Sequence, residues 1–339
     1  MHTFLLDYGL FLAQAATIVV AIAIVLALMA RLVVAARGSR GREGLEVRDL
    51  NRELGDAAES LQEALLDRRG PKRYRRQRKA KDKARRAGAD RPRLFVLDFK
   101  GDLAASRTAA LRHEISAILQ VATPQDEVLL RLESSGGMVH GYGLAASQLH
   151  RLREHGVPLT VAVDKVAASG GYMMACVANR IIAAPFAVLG SIGVVGQLPN
   201  FHRWLQKNDI DMELHTAGEY KRTLTMFGEN TEAARTKFLA ELEDTHALFK
   251  AFVADHRPQV PLNEVATGAH WYGSEALGLR LVDALQTSDD YLLQRGADRG
   301  VYGVRWRVRH TLWQRLSGST AASTSLAAAV ARLWRGPRN

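Results

Sequence analysis

The sequence predicts an α/β domain, and three observations carry that reading. From Leu94 onward, short apolar runs alternate with helix-length segments. Glycine pairs sit where such runs give way to helices, at Gly136-Gly137 and Gly170-Gly171. One cysteine in 339 residues, Cys176, excludes an intrachain disulfide framework and a cysteine-based zinc site.

The first 36 residues are expected to be a membrane anchor. Gly9 to Ala30 are 22 consecutive uncharged, mostly apolar positions. At about 1.5 Å per residue they span about 33 Å, enough for a bilayer core of about 30 Å. Only His2 and Asp7 precede them, whereas Arg31, Arg37, Arg40 and Arg42 come after. A cleaved signal peptide carries its positive charge in the opposite order, so the segment reads as an uncleaved single span. The same asymmetry favours a cytoplasmic position for the remainder of the chain.

Residues 37–93 read as an amphipathic helix and a basic linker. Leu50, Leu54, Ala57, Leu61 and Leu65 recur at helical spacing within 45–65. Such a stripe serves self-association, or it lies against its own catalytic domain. Between Arg68 and Arg93 stand 14 Lys/Arg and two Asp, a local charge of +12. The whole chain carries +11, so everything else sums to −1. The basicity belongs to a solvated linker with too little apolar surface to fold. Beside the anchor, anionic lipid headgroups are its expected partner. Tyr74 is its one interleaved aromatic, so no nucleic acid is expected.

The catalytic domain is expected over 94–290, with 291–339 as a C-terminal extension. Strands are predicted at 94–99, 127–132, 158–163, 180–184, 188–195 and, half-apolar, 212–216. Helices are predicted at 107–121, 141–155 and 167–179, and a long one at 231–256 begins after Asn230-Thr231 and stops before Pro258. Beyond about residue 290 the pattern weakens. There, Trp306 and Trp313 interleave with Arg305, Arg307, Arg309 and Arg315, as in a membrane-interface contact or a packing surface.

Several residues in this domain could carry chemistry. Ser169 stands before Gly170-Gly171 at a strand-to-helix corner, where a hydroxyl either caps the helix or faces a cleft as a nucleophile. The Gly170 amide is then placed to donate to an oxyanion. Gly136 and Gly137 come after the apolar run 128–132, as an ordinary turn or as further oxyanion or substrate-backbone donors. No Gly-Lys-Ser/Thr succeeds them, which excludes a phosphate loop. Lys221 is a surface lysine or a general base. The second role needs its pKa lowered by about three units, which burial among apolar groups supplies. Ser191, in Leu-Gly-Ser-Ile-Gly, is placed to orient a neutral amine. His140 is the best histidine rival, ahead of His202 and His215; no helix carries paired zinc-binding histidines, and no metal or cofactor is expected. Cys176 reads as a small buried hydrophobe.

Together, Ala168-Ser169-Gly170-Gly171-Tyr172, Leu189-Gly190-Ser191-Ile192-Gly193 and Thr216-Ala217-Gly218-Glu219-Tyr220-Lys221 resemble three segments of the SohB/signal-peptide-peptidase family of membrane-bound Ser–Lys proteases. The resemblance runs from about Leu94 to Asp283. It implies Ser169 as nucleophile, Lys221 as general base, and Ser191 as the lysine's hydrogen-bond partner. It also implies a Clp protease/crotonase-like spiral of ββα units, an inner-membrane location and a ring- or dome-shaped homo-oligomer. The expected substrates are signal peptides and membrane-released or unfolded peptides. The family's oxyanion loop usually reads Asn-Ser-Pro-Gly-Gly; here Glu133-Ser134-Ser135-Gly136-Gly137 lacks the proline and asparagine. Family precedent allows a periplasmic catalytic domain, against the charge asymmetry. Two other functions compete. A crotonase-type acyl-CoA enzyme would use Glu133 as its acid–base group, and a non-catalytic membrane scaffold would use only the 45–65 stripe and the linker.

Overall fold

The computed structural model describes residues 44–65 and 91–307, apart from 219, with isolated positions 17 and 76. The expected anchor, nearly all of the basic linker and the C-terminal residues beyond 307 lie outside the described residues. Leu45–Trp306 form one compact unit, a mixed α/β body. Among the described residues no helix is long and apolar enough to cross a membrane.

The N-terminal piece is a strand, β1 (Gly44–Asp49), running straight into helix α1 (Leu50–Leu65). The expected helix over 45–65 therefore starts five residues later. The alternation of β2 (Arg93–Lys100), α2 (Thr108–Leu119), β3 (Glu127–Glu133), α3 (Val139–Glu154) and β4 (Leu159–Val163) matches the sequence expectation closely. These strands read as apolar runs because both faces are covered: Val128, Leu129 and Leu130 are all fully buried.

The segment expected as one helix over 167–179 divides. Val166–Ala168 is a short strand, β5, and only Gly170–Ala175 is helical, α4. After β6 (Arg180–Ala183), β7 covers Val188–Gly190 alone rather than the expected run to 195. Residues 212–216 form no strand and lie exposed, because the described chain offers that alternating stretch no strand to pair with. Beyond α5 (His202–Lys207), α6 (Glu232–His256) matches the expected long helix, with the Thr231 hydroxyl accepting from Ala234 N–H at 3.2 Å. The chain then continues through α7 (Leu262–Val265), β8 (His270–Tyr272), α8 (Gly273–Gly278), β9 (Ala284–Leu285), α9 (Ser288–Gly296) and β10 (Gly300–Arg307).

The main sheet runs β1-β10-β2-β3-β4-β6-β9, and a smaller one runs β5-β7-β8. From β10 to β9 every neighbouring pair is parallel. In the small sheet β5 and β7 are parallel, while β7 and β8 are antiparallel. A parallel bridge between Ser134 and Ala167 joins the end of β3 to β5. That bridge sets a loop after β3 beside the chain entering α4. The larger apolar cluster packs α2, α3, α4 and α6 against one face of the main sheet; the smaller holds Tyr291 and Leu292 of α9 against Leu94, Leu129 and Ile182.

Candidate active site

Strand β5 delivers Ser169. At the end of that strand Ser169 takes φ 52° and ψ −120°, a left-handed φ that a side-chain-bearing residue adopts only where its surroundings impose it. Its N–H donates to Gly190 O at 2.8 Å, and its carbonyl accepts from Met173 N–H at 3.0 Å. The backbone is thus fixed from both sides. Although Ser169 occupies the N-cap of α4, its side chain makes no capping hydrogen bond. The capping role weighed from sequence is not the one the structure shows, and the half-buried hydroxyl is left for other use.

Ser191 lies alongside. β5 and β7 pair through Ala168 and Gly190, so Ser169 and Ser191 are the next residues out of two adjacent parallel strands. Ser191 also has a positive φ, 50°, and its N–H donates to Ala269 O at 2.7 Å. Two serines thus leave neighbouring parallel strands, each with a positive φ.

The glycine loop closes on Ser169 from β3. Gly136 has φ +89°, and a Cβ added there would stand 2.7 Å from Ser169 Cβ and 2.8 Å from Gly170 N. Only glycine admits that approach. Gly136 N–H donates to Ser134 Oγ at 3.1 Å. Gly137 N–H and Gly170 N–H make no hydrogen bond within the described residues, as expected for the first amide of a helix at Gly170. Next to Gly137, Met138 N–H donates to Leu103 O at 2.8 Å, which props the loop from behind.

Tyr142 is the part of the site that sequence reasoning missed. Its hydroxyl lies 2.6 Å from Ser134 Oγ and donates to Asp102 O at 2.8 Å. Its ring fills the space beside Gly170, where a Cβ would come 2.4 Å from Tyr142 Cγ. One buried tyrosine therefore holds the Ser134 turn and backs the residue after Ser169. Burial raises its phenol pKa, so it remains a neutral hydroxyl. Nothing local in the sequence marks it, because its partners come from three separate loops.

Lys221 stands apart. It belongs to an exposed turn, its N–H donating to Gly218 O at 3.2 Å, and its side chain is exposed. The structure brings Ser169, Ser191, Gly136, Gly137 and Gly170 together and leaves Lys221 on an excursion between β7 and α6. That excursion is strongly apolar at its surface. Val195 is 88 % exposed, and Phe201, Trp204, Ile210, Met212, Leu214 and Tyr220 are exposed too.

The rival groups are engaged elsewhere or point to solvent. His140 is exposed and His215 lies 3.1 Å from Glu213. No hydrogen bond among the described residues joins a histidine to Ser169. Glu133, the acid–base group a crotonase would need, is held by Lys165 at 3.2 Å and Lys100 at 3.2 Å. Those two ammonium groups, Lys165 first, keep its carboxyl below the ordinary glutamate range, the wrong state for a proton donor. Cys176 is fully buried, and burial pushes its thiol pKa up, away from nucleophilic use. Among the described residues no group of three or more His, Cys, Asp or Glu is placed to hold a metal ion.

Comparison with known proteins places the chain in a family. Residues 3–149 match peptidase family S49 N-terminal, and residues 151–301 match peptidase family S49. The probable protease SohB of Haemophilus influenzae is 47% identical over 326 residues, covering 92% of this chain and 92% of that protein. The probable protease SohB of Buchnera aphidicola subsp. Acyrthosiphon pisum is 56% identical over 236 residues, 70% of each chain. A solved structure titled as a 1510-N membrane-bound stomatin-specific protease with a substrate peptide aligns at 12% identity and a TM-score of 0.40, covering 67% of this chain and 96% of that one. With 47% identity along nearly the whole length of one SohB protein added to both family matches, the chain belongs to peptidase family S49, of the SohB type, and is a serine peptidase.

Proposed function

We propose that the chain is a membrane-anchored endopeptidase in which Ser169 attacks the peptide carbonyl and Lys221 is the general base. One observation carries the assignment of the nucleophile: the strained, uncapped Ser169, with Gly136 pressed against it and unclaimed amides at Gly137 and Gly170. Those two N–H groups are the oxyanion donors in this reading. The Gly136 N–H, already given to Ser134, fixes the loop instead. Ser191, issuing beside Ser169, receives and orients the Lys221 amine.

The base must lose its proton, and an exposed ammonium does so poorly near neutral pH. Lys221 shares its excursion with Trp204, Ile210, Met212, Leu214 and Tyr220, all exposed. A second copy of the chain covering that apolar surface would desolvate the lysine and complete the site, within one chain or across two. This supports a ring- or dome-shaped homo-oligomer. Residues 1–36 then anchor the protein in the inner membrane, and 37–93 link it to the body, touching lipid through the basic run. The domain at 94–290, a Clp/crotonase-like spiral in this reading, carries the chemistry with β10 added to its sheet.

Hydrolysis of a peptide substrate tests the mechanism. Ser169→Ala and Lys221→Ala should each lower kcat by about a thousandfold or more, with a fluorophosphonate adduct at Ser169 in the parent protein. Full turnover in either variant refutes the pairing. Co-assembly of the two variants discriminates the arrangement: regained activity means that neighbouring copies share a site.

A further inference from the structure

Helix α1 leaves the body of the protein with its apolar stripe uncovered. Leu50 is packed against the smaller core cluster, and Asn51 clamps the start of the helix, its amide donating to Gly296 O at 3.1 Å and accepting from Val301 N–H at 2.6 Å. Past that point the apolar residues face solvent: Leu54 is 44 %, Leu61 62 % and Leu65 75 % exposed, and Ala57 and Ala64 are exposed as well. The half-buried positions Asn51, Gly55 and Glu59 trace a different line along the helix. The stripe is therefore not the face turned toward its own domain.

Its spacing names the class of partner. Leu50, Leu54, Ala57, Leu61 and Ala64 recur at intervals of four, three, four and three, the seven-residue repeat of a helix seated on another helix. Charge excludes a lipid surface. The helix sequence holds one basic residue, Arg52, against four acids, Glu53, Asp56, Glu59 and Glu63, a net −3, whereas helices lying on anionic membranes carry Lys and Arg on their polar face. The positions flanking the seam are mostly uncharged: Asn51, Ala58, Ser60 and Leu65. The one flanking acid, Glu53, is paired with Arg48 at 2.7 Å. Asp56 and Glu59 fall on the side away from the seam. An identical helix can approach without setting like charges against each other.

We infer that α1 pairs in parallel with α1 of a second copy, through Leu54, Ala57, Leu61 and Ala64. This contact is separate from the excursion that carries Lys221, and it relies on the proposed function only for its parallel sense, since both copies hang from one membrane. An exposed stretch this short is marginal as a lone helix in water, and a partner supplies the missing apolar contact.

Disulfide cross-linking of the full chain in its membranes tests this, in a Ser169→Ala background that prevents self-digestion. The native Cys176 is fully buried, so it adds no background. Leu61→Cys should give a dimer as the main oxidised product, Glu59→Cys should not, and adding Leu54→Glu to Leu61→Cys should abolish the dimer. Maleimide labelling of both cysteines establishes that each is reachable. No dimer at 61, equal dimer at 61 and 59, or a dimer that survives Leu54→Glu each overturns the pairing. Peptide hydrolysis by the same chains with Ser169 restored reports on the catalytic reading alone, so the two ideas fail separately.

Discussion

Ser169 and Gly190 are joined by a 2.8 Å hydrogen bond from the serine N–H to the glycine carbonyl, at the point where β5 and β7 of the small sheet end. The bond ties the backbone of the proposed nucleophile to the strand that leads into Ser191. With the Ser169 N–H and carbonyl both bonded, its hydroxyl makes no capping hydrogen bond.

The first prediction concerns the closeness of Gly136. Gly136→Ala places a methyl group 2.7 Å from Ser169 Cβ and asks alanine to hold φ +89°. Either the loop or the serine must shift. Misplacing oxyanion donors costs about 10²–10³ in kcat, and that loss is expected in peptide turnover, with a lower Tm. A variant with parental kcat would show that the loop does not serve the reaction.

Tyr142→Phe removes the hydroxyl that joins Ser134 Oγ to Asp102 O. Leaving buried polar partners unmet costs about 1–3 kcal/mol, to be read from urea unfolding. Because Ser134 Oγ also accepts the Gly136 N–H, kcat should fall while KM changes little. A stability loss with unaltered kcat would assign Tyr142 to the core alone.

Arg257 is buried and grips Asp283 through two bonds of 2.9 and 2.8 Å, while Asp283 also accepts Ile181 N–H at 2.7 Å. This pair ties the end of α6 to the chain entering β9, across β6. Arg257→Ala should destabilise the domain by about 3 kcal/mol, because a carboxylate is left uncompensated. Asp283→Asn on that background should recover part of the loss in a double-mutant cycle.

Acid should weaken the domain through Asp126. Burial by itself would raise its carboxyl, but hydrogen bonds from the Arg93 side chain, the Thr123 and Arg93 N–H groups and the Thr123 hydroxyl outweigh that and hold it below the ordinary range. A carboxylate depressed in the folded state stabilises at pH values above its unfolded pKa of about 3.9 and loses that contribution as pH falls through the folded value. Asp126→Asn should therefore cost about 2 kcal/mol at pH 7, and its stability gap to the parent should shrink below about pH 4. A gap independent of pH would contradict the ionised hydrogen-bonded state.

Much of the main sheet was legible because parallel strands covered on both faces read as unbroken apolar runs, as at Val128–Leu130. The corner at Ser169 was legible through its glycines, yet the strand before it was not. Val166-Ala167-Ala168 is too short to show a period, and its pairing with Ser134 and β7 is set by residues far along the chain. Alternation at 212–216 misled for the opposite reason, since a strand pattern without a neighbouring strand gives no strand. Ser169, Ser191 and the glycines could be proposed from motifs. Tyr142 could not, because its role comes from three loops meeting around one ring.

The place of β10 in the main sheet sets an order of events during biosynthesis. The last described strand is inserted between β1 and β2, and Asn51 clasps Val301 across 250 residues. While the ribosome is still making the C-terminal part, the first strand has no neighbour and β2 presents a bare edge. Closure therefore waits for the chain to emerge past residue 307, and until then that edge is open to pairing with another chain.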